Sequence, residues 1–229
     1  MAGFSMGRTL RSLLADPHRP GSMASRARAD RWQRLFGAFP DLSEMTVLDL
    51  GGTTQFWSTV PVRPASLTLL NPFPGSNDDL DWAEAIGGDA CVPPPQIQAR
   101  HYDLIYSNST IEHVGGHDRR QRFARVATSL ADRMWVQTPY RYFPLEPHFL
   151  IPAFQYLPLS TRVLLARAWP LTPEGFPADR AAIRAELMDI ELLSITEMRS
   201  YFPDASMLYE RAAGLIKSVI AVQGSAATS

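Results

Sequence analysis

The chain has 229 residues, a formal net charge of −1, 45% hydrophobic residues and 20% charged residues. That balance fits one globular domain, or one domain with an elaborated cap, and excludes a wholly disordered chain and a fibrous repeat. No net positive field recruits nucleic acid or anionic lipid. The single cysteine, Cys91, forms neither an intramolecular disulfide nor a thiolate metal site alone, which predicts a cytoplasmic location.

Residues Met1–Leu10 lack an apolar core of signal-peptide length, and no run approaches 18 uninterrupted apolar residues, so no transmembrane helix is expected. Residues 1–34 carry seven arginines against two aspartates, as transit peptides and nucleic-acid arms do. Arginine is the general cation here, however: Lys217 is the only lysine beside 21 arginines. Residues 1–23 are expected to be a flexible arm. Ala24 to Phe36 then reads as a helix with Trp32, Leu35 and Phe36 on one side.

Four short apolar runs read as strands. They are Thr46–Leu50 running into Gly51-Gly52, Ser66–Leu70 ending at Asn71-Pro72, Tyr102–Tyr106 ending at Ser107-Asn108-Ser109, and Arg133–Gln137 ending at Thr138-Pro139. Apolar strands with polar punctuation at their carboxyl ends predict a parallel sheet covered on both faces. The patterns between them fit right-handed helical crossovers. The clearest runs from Arg119 to Leu130, with Phe123, Val126 and Leu130 three and four apart. Ala205–Tyr209 and Lys217–Val222, joined through Gly214, read as an antiparallel pair closing one sheet edge. Residues 143–193, rich in proline and large apolar groups, read as a mostly helical cap inserted before the last helix. Residues 24–222 are thus the main domain, and 223–229 a flexible tail. The fold class is α/β, a Rossmann-like doubly wound sheet.

In such a sheet, ligands bind beyond the carboxyl ends of the strands, where strand order reverses. The residues placed there are Asp49, Gly51, Gly52, Thr53, Asn71, the run Gly88-Asp89-Ala90, Ser107, Asn108 and Ser109. The glycines let backbone approach a ligand closely. Asp49, inside the strand, is able to accept hydrogen bonds from turn N–H groups or a ligand ammonium.

Across residues 24–222 this pattern resembles the class I S-adenosylmethionine-dependent methyltransferases, of the small bacterial, methyltransferase type 11-like kind. Val-Leu-Asp49-Leu-Gly51-Gly52 is similar to that family's first motif. The resemblance implies a seven-stranded sheet whose last strand is antiparallel, and S-adenosyl-L-methionine as cofactor. It implies that the Gly51–Thr53 turn passes under the methionine part, that Asp89 binds the adenine amino group beside Ala90, and that Tyr106–Ser109 line the sulfonium side. Two positions depart from the family. Thr53 stands where a third glycine is usual. Asn71 stands where an acidic residue usually grips the ribose; a neutral amide is about half as strong an acceptor as a carboxylate, which predicts modest cofactor affinity. A nicotinamide dehydrogenase requires Gly-x-Gly-x-x-Gly after the first strand, which Gly51-Gly-Thr-Thr-Gln-Phe56 does not supply. No Gly-Lys-Ser/Thr phosphate loop occurs. No metal is expected, since His113 and His117 lack partners at ligand spacing.

A methyl on a sulfonium transfers by in-line displacement, and holding the acceptor in line supplies about 7–11 kcal/mol of the barrier reduction. Where the acceptor must lose a proton, histidine is the natural base near neutral pH. His113 and His148 are the candidates, with Glu146 beside the latter. Ser109 and Glu112 have capping-box spacing, as do Ser194 and Glu197, so Glu112 reads as a cap rather than a catalyst. Tyr140, Tyr142 and Phe149, on the proline-stiffened segment after the fourth strand, are candidate substrate contacts. The run Phe149–Trp169, with Arg162 and Arg167, reads as core but leaves peripheral membrane contact open, and a homodimer is compatible with the sequence. About 170 residues are needed for the cofactor core, which leaves no room for a separate recognition domain. The expected function is methyl transfer to a small, fairly apolar molecule in secondary or cell-envelope metabolism, to oxygen before nitrogen and carbon, without nucleic acid as partner. The alternative is a non-catalytic S-adenosylmethionine-binding or interaction protein of the same fold.

Overall fold

The computed structural model describes residues 21–73, 80–172, 176–177 and 179–226. The expected N-terminal arm therefore lies outside the described residues up to position 20, and the expected tail from position 227.

Unbroken apolar runs favour strands buried on both faces. Thr46–Leu50 forms such a strand, β1, whose last four residues are buried. β2 (Ser66–Asn71), β3 (Ala83–Gly87), β4 (Leu104–Asn108) and β5 (Met134–Pro139) complete a parallel set. β6 (Ser206–Ala212) and β7 (Leu215–Gln223) form a hairpin. β7 inserts between β5 and β6, antiparallel to both, so the order across the sheet is β3-β2-β1-β4-β5-β7-β6. The expected seven-stranded, doubly wound sheet with an antiparallel last strand is the observed one. Strand order reverses between β1 and β4, whose carboxyl ends therefore flank the switch point.

Beyond small shifts in the ends of other elements, three details differ from the sequence reading. β3 carries no apolar run: Ala-Glu-Ala-Ile-Gly sits at the sheet edge with Ile86 its only buried residue. β4 begins two residues later than expected and runs on to Asn108. The Ser109–Glu112 capping box does not form. Ser109 lies in the left-handed region at φ 55°, and Glu112 is buried within a 3-10 turn, Ile111–His113. The second box forms as expected at the start of a helix over Ile195–Tyr201, with Ser194 and Glu197 bonded reciprocally.

Helix α1 spans Met23–Ala38, and Trp32 and Leu35 on it are buried. α2 (Thr54–Trp57) and α3 (Pro95–Gln98) are single turns, whereas α4 (His117–Ser129) is the long crossover before β5. α5 (Leu159–Ala168), α6 (Arg180–Met188) and α7 (Ile195–Tyr201) follow. Among the described residues, no helix is long and apolar enough to cross a membrane.

The chain divides into two compact units. One comprises Leu35–Tyr142 and the residues from Glu191 onward, and holds the whole sheet. Its core gathers Leu48, Leu50, Ile105, Phe123, Val136 and Val219. Residues 191–193 lie in this unit, with Leu193 in its core and accepting a bond from the Arg141 N–H. The other unit joins the described residues up to Arg34 with those between Phe143 and Ile190. Its core is Phe149, Ile151, Phe154, Val163, Ile183 and Leu187, drawn from α5, α6 and a two-residue ribbon that pairs Leu145–Glu146 with Ile151–Pro152.

Candidate active site

At the carboxyl end of β1 the chain turns at Gly51 with φ +89°, a conformation that L side chains rarely adopt. A Cβ there would fall 2.1 Å from Thr110 Oγ1, and one on Gly52 would fall 2.3 Å from Asp49 Oδ2. The space the two glycines open is thus occupied by the protein's own Thr110 and Asp49 side chains, not only by an approaching ligand. Asp49 is itself buried. Its Oδ2 accepts a 2.7 Å bond from the Trp57 indole N–H, while Oδ1 has no partner. Burial drives its pKa up to about 7 against the opposing effect of that bond. Thr53 sits in extended backbone, φ −129°, where a third glycine is not required, and its hydroxyl caps α2 by accepting from the Phe56 N–H.

Asn71 ends β2 and closes the same turn. Its NH₂ donates to the Gly51 carbonyl at 3.1 Å and the Gly52 carbonyl at 3.2 Å, and its Oδ1 accepts from the Phe73 N–H. Both ends of the amide are engaged by backbone. After β3, the Asp89 carboxylate accepts from the Cys91 N–H at 2.8 Å and from Arg119 at 2.7 Å. Burial pushes this carboxyl up, but the Arg119 and Cys91 bonds outweigh it and hold it below the usual range. After β4, Ser107 is fully buried and its hydroxyl donates to the Leu50 carbonyl, while the Ser109 hydroxyl bonds the Gln137 side chain.

These strand ends surround a cavity of about 390 Å³, within the size range of small-molecule sites. Gly51, Asn71, Asp89, Ala90 and Ser109 line it, together with His113. Asp49, Gly52, Thr53, Ser107 and Asn108 do not line it; of these, Asp49, Gly52 and Ser107 are buried. Sequence reasoning missed Pro72, Thr110, Val114 and Arg119 in its wall. Pro72 and Thr110 adjoin predicted positions, so widening each strand end by one residue finds them. Arg119 carries no local signal, because its partner Asp89 lies 30 residues away.

Tyr140 and Tyr142 pack edge to face with ring centres 5.5 Å apart, Tyr140 half-buried and Tyr142 exposed. The remaining candidates belong to the smaller unit. Glu146 is buried, and its two oxygens accept from His148 Nδ1 and from the Phe149 N–H, both at 2.7 Å. The internal Glu146–His148 pair is thus formed. A carboxylate acceptor keeps the proton on Nδ1 and leaves Nε2 as the basic nitrogen of neutral His148. Phe149 is buried in that unit's core against Phe154 and Phe176.

The residues fit an adenosyl cofactor in part. Asp89 keeps lone pairs for an amino group, whereas Asn71 has no free donor for a ribose.

No protein-family model matches the chain, and no curated protein matches it in sequence. Solved structures share its fold. N-methyltransferase NodS from Bradyrhizobium japonicum WM9, in complex with S-adenosyl-l-homocysteine, superposes with a TM-score of 0.53 at 9% identity, covering 96% of this chain and 97% of that one. A protein from Rhodobacter sphaeroides named as a Zn-dependent alcohol dehydrogenase gives 0.56 at 14% identity, with 84% and 88% coverage. A possible exported protein from Bordetella parapertussis gives 0.55 at 14% identity, with 89% and 69% coverage. The fold is Rossmann-like and is shared with the methyltransferase NodS.

Proposed function

We propose that this chain is an S-adenosylmethionine-dependent methyltransferase acting on a small, fairly apolar molecule, with oxygen the favoured acceptor ahead of nitrogen and carbon. One observation carries the reading: the ends of four successive parallel strands converge on a single cavity at the switch point, with Asp89 at one part of its wall and His113 at another. The S-adenosyl-l-homocysteine bound to NodS supports the choice of cofactor. The dehydrogenase name of another neighbour finds no support in the first turn, which lacks Gly-x-Gly-x-x-Gly.

S-adenosylmethionine supplies an electrophilic methyl group on a sulfonium. This chain's residues do the rest. Asp89 accepts from the adenine amino group, the Gly51 turn bounds the methionine end, and His113 receives a proton from a hydroxyl acceptor. Tyr140 and Tyr142 offer aromatic surface to the acceptor. Such an enzyme belongs to cytoplasmic small-molecule metabolism. The test is calorimetry with S-adenosylmethionine and S-adenosylhomocysteine, followed by transfer of a labelled methyl group into extract fractions. Binding with label entering the small-molecule fraction is expected. Absence of binding at millimolar ligand overturns the reading.

A second reading, a binding protein of the same fold without transfer, draws on the engaged Asn71 amide and on Thr110 filling the space over Gly51. Binding without any label transfer would favour it.

A further inference from the structure

Arg119, in the first turn of α4, reaches three segments around the cavity. Its Nη2 donates to Asp89 Oδ2 at 2.7 Å, and its Nε donates to the Val114 carbonyl. Its own carbonyl accepts from the Cys91 thiol at 3.2 Å, and the Cys91 N–H in turn holds Asp89 Oδ1. Gly115, φ +93°, brings the loop so close that a Cβ there would lie 3.3 Å from Arg119 Cδ. The Asp89 and Arg119 side chains are 40% and 44% exposed, and an ion pair so open to water contributes little to stability. The convergence of its bonds on cavity-lining segments points instead to orientation.

We propose that Arg119 is a positioning residue that fixes the Asp89 carboxylate and the His113–Val114 turn as one wall of the cavity, and thereby selects a 6-amino purine over a 6-oxo purine. This rests on the reading that the cavity takes S-adenosylmethionine. With one donor on each oxygen, the carboxylate plane is fixed and lone pairs on both oxygens remain available. A carboxylate only accepts, so it bonds the amino group of adenine and repels the carbonyl oxygen of hypoxanthine. Without Arg119 the carboxylate is held by the Cys91 N–H at one oxygen only, its plane is no longer fixed, and the preference weakens.

Calorimetry with S-adenosylhomocysteine and S-inosylhomocysteine tests this on the wild type, Arg119→Ala and Arg119→Lys. Hydrogen bonds to charged groups predict at least about a tenfold preference for the adenosyl ligand in the wild type. Arg119→Ala is expected to lose most of that preference, chiefly by weakening the adenosyl ligand. Arg119→Lys is expected to restore part of it, since an ammonium still pairs with Asp89 but does not also bridge to Val114. A purely structural role would weaken both ligands alike and leave the ratio unchanged. An unchanged ratio in Arg119→Ala overturns the proposal; if that variant does not fold, the ratio in Arg119→Lys decides. A wild type that binds neither ligand overturns the methyltransferase reading itself, and this inference with it.

Discussion

Among the described residues, the indole N–H of Trp57 is the one hydrogen-bond donor that the Asp49 carboxyl meets, at 2.7 Å, in a buried site beside the first turn. A carboxyl so placed is easier to keep neutral than charged. Its pKa is about 7 in the folded protein, well above the ordinary carboxylate value of 3.8, so the folded state holds the proton more tightly. The stability this group contributes is fully present below pH 4 and is lost as pH rises through 7, by roughly 4 kcal/mol for a shift of this size. Asp49→Asn keeps the shape and an acceptor for Trp57 but does not ionise. The stability of Asp49→Asn relative to wild type, from urea unfolding, is therefore expected to rise steadily between pH 4 and pH 8. Trp57→Phe removes the donor, costs about 1–3 kcal/mol and moves the Asp49 midpoint higher. A difference curve flat with pH would contradict this account.

The two turn glycines make a sharper prediction than their motif does. Gly52→Ala drives a methyl group against the Asp49 carboxyl, which has nowhere to go, and is expected to cost about 1–3 kcal/mol. Gly37, near the end of α1, has no heavy atom within 4 Å of its missing Cβ. Gly37→Ala should stabilise the protein by up to about 1 kcal/mol, because alanine is the better helix former. Thermal unfolding of the two variants should shift in opposite directions.

What was legible in the sequence followed range. The apolar runs of β1, β2, β4 and β5 and the reciprocal Ser194–Glu197 cap depend on residues close in the chain, and they were readable. β3 was not, because an edge strand with a single buried side chain has no apolar run to betray it. Ser109 and Glu112 had capping-box spacing, yet β5 overrode it from a distance. Gln137 takes the Ser109 hydroxyl and Thr138 donates to Glu112, so the local signal lost to two tertiary bonds. At the candidate site, strand ends gave the positions of the wall but not the directions of its side chains. Asn71 is expected as a ligand acceptor; in the structure its NH₂ donates to the Gly51 and Gly52 carbonyls, while its Oδ1 accepts from the Phe73 N–H and keeps a second lone pair.

That orientation reverses the expectation for restoring an acidic residue at the end of β2. In Asn71→Asp the carboxylate has no proton to donate and faces two carbonyl oxygens at hydrogen-bond distance. The variant is expected to lose about 1–3 kcal/mol of stability at neutral pH and to bind S-adenosylhomocysteine no better than wild type. Part of the stability should return in acid, where the protonated side chain regains a donor. Tighter ligand binding by Asn71→Asp, measured by calorimetry, would mean that the amide leaves the turn when ligand binds.

The two candidate bases differ in whether they line the cavity. His113 lies in the wall of the cavity with Asp89 and Ser109, so His113→Ala should weaken S-adenosylhomocysteine binding as well as slow turnover. His148 is held by Glu146 within the other unit and does not line that cavity. His148→Ala should leave cofactor affinity unchanged and, if Nε2 takes the acceptor's proton, lower kcat by about 10²–10⁴. Glu146→Gln then distinguishes positioning from chemistry. The amide oxygen still accepts from His148 Nδ1, but the NH₂ replaces the acceptor that the Phe149 N–H uses. A small fall in kcat with a shifted pH profile is expected, alongside a measurable loss of stability. If His148→Ala changes cofactor affinity and turnover by equal factors, the residue supports folding and His113 alone stands as the base.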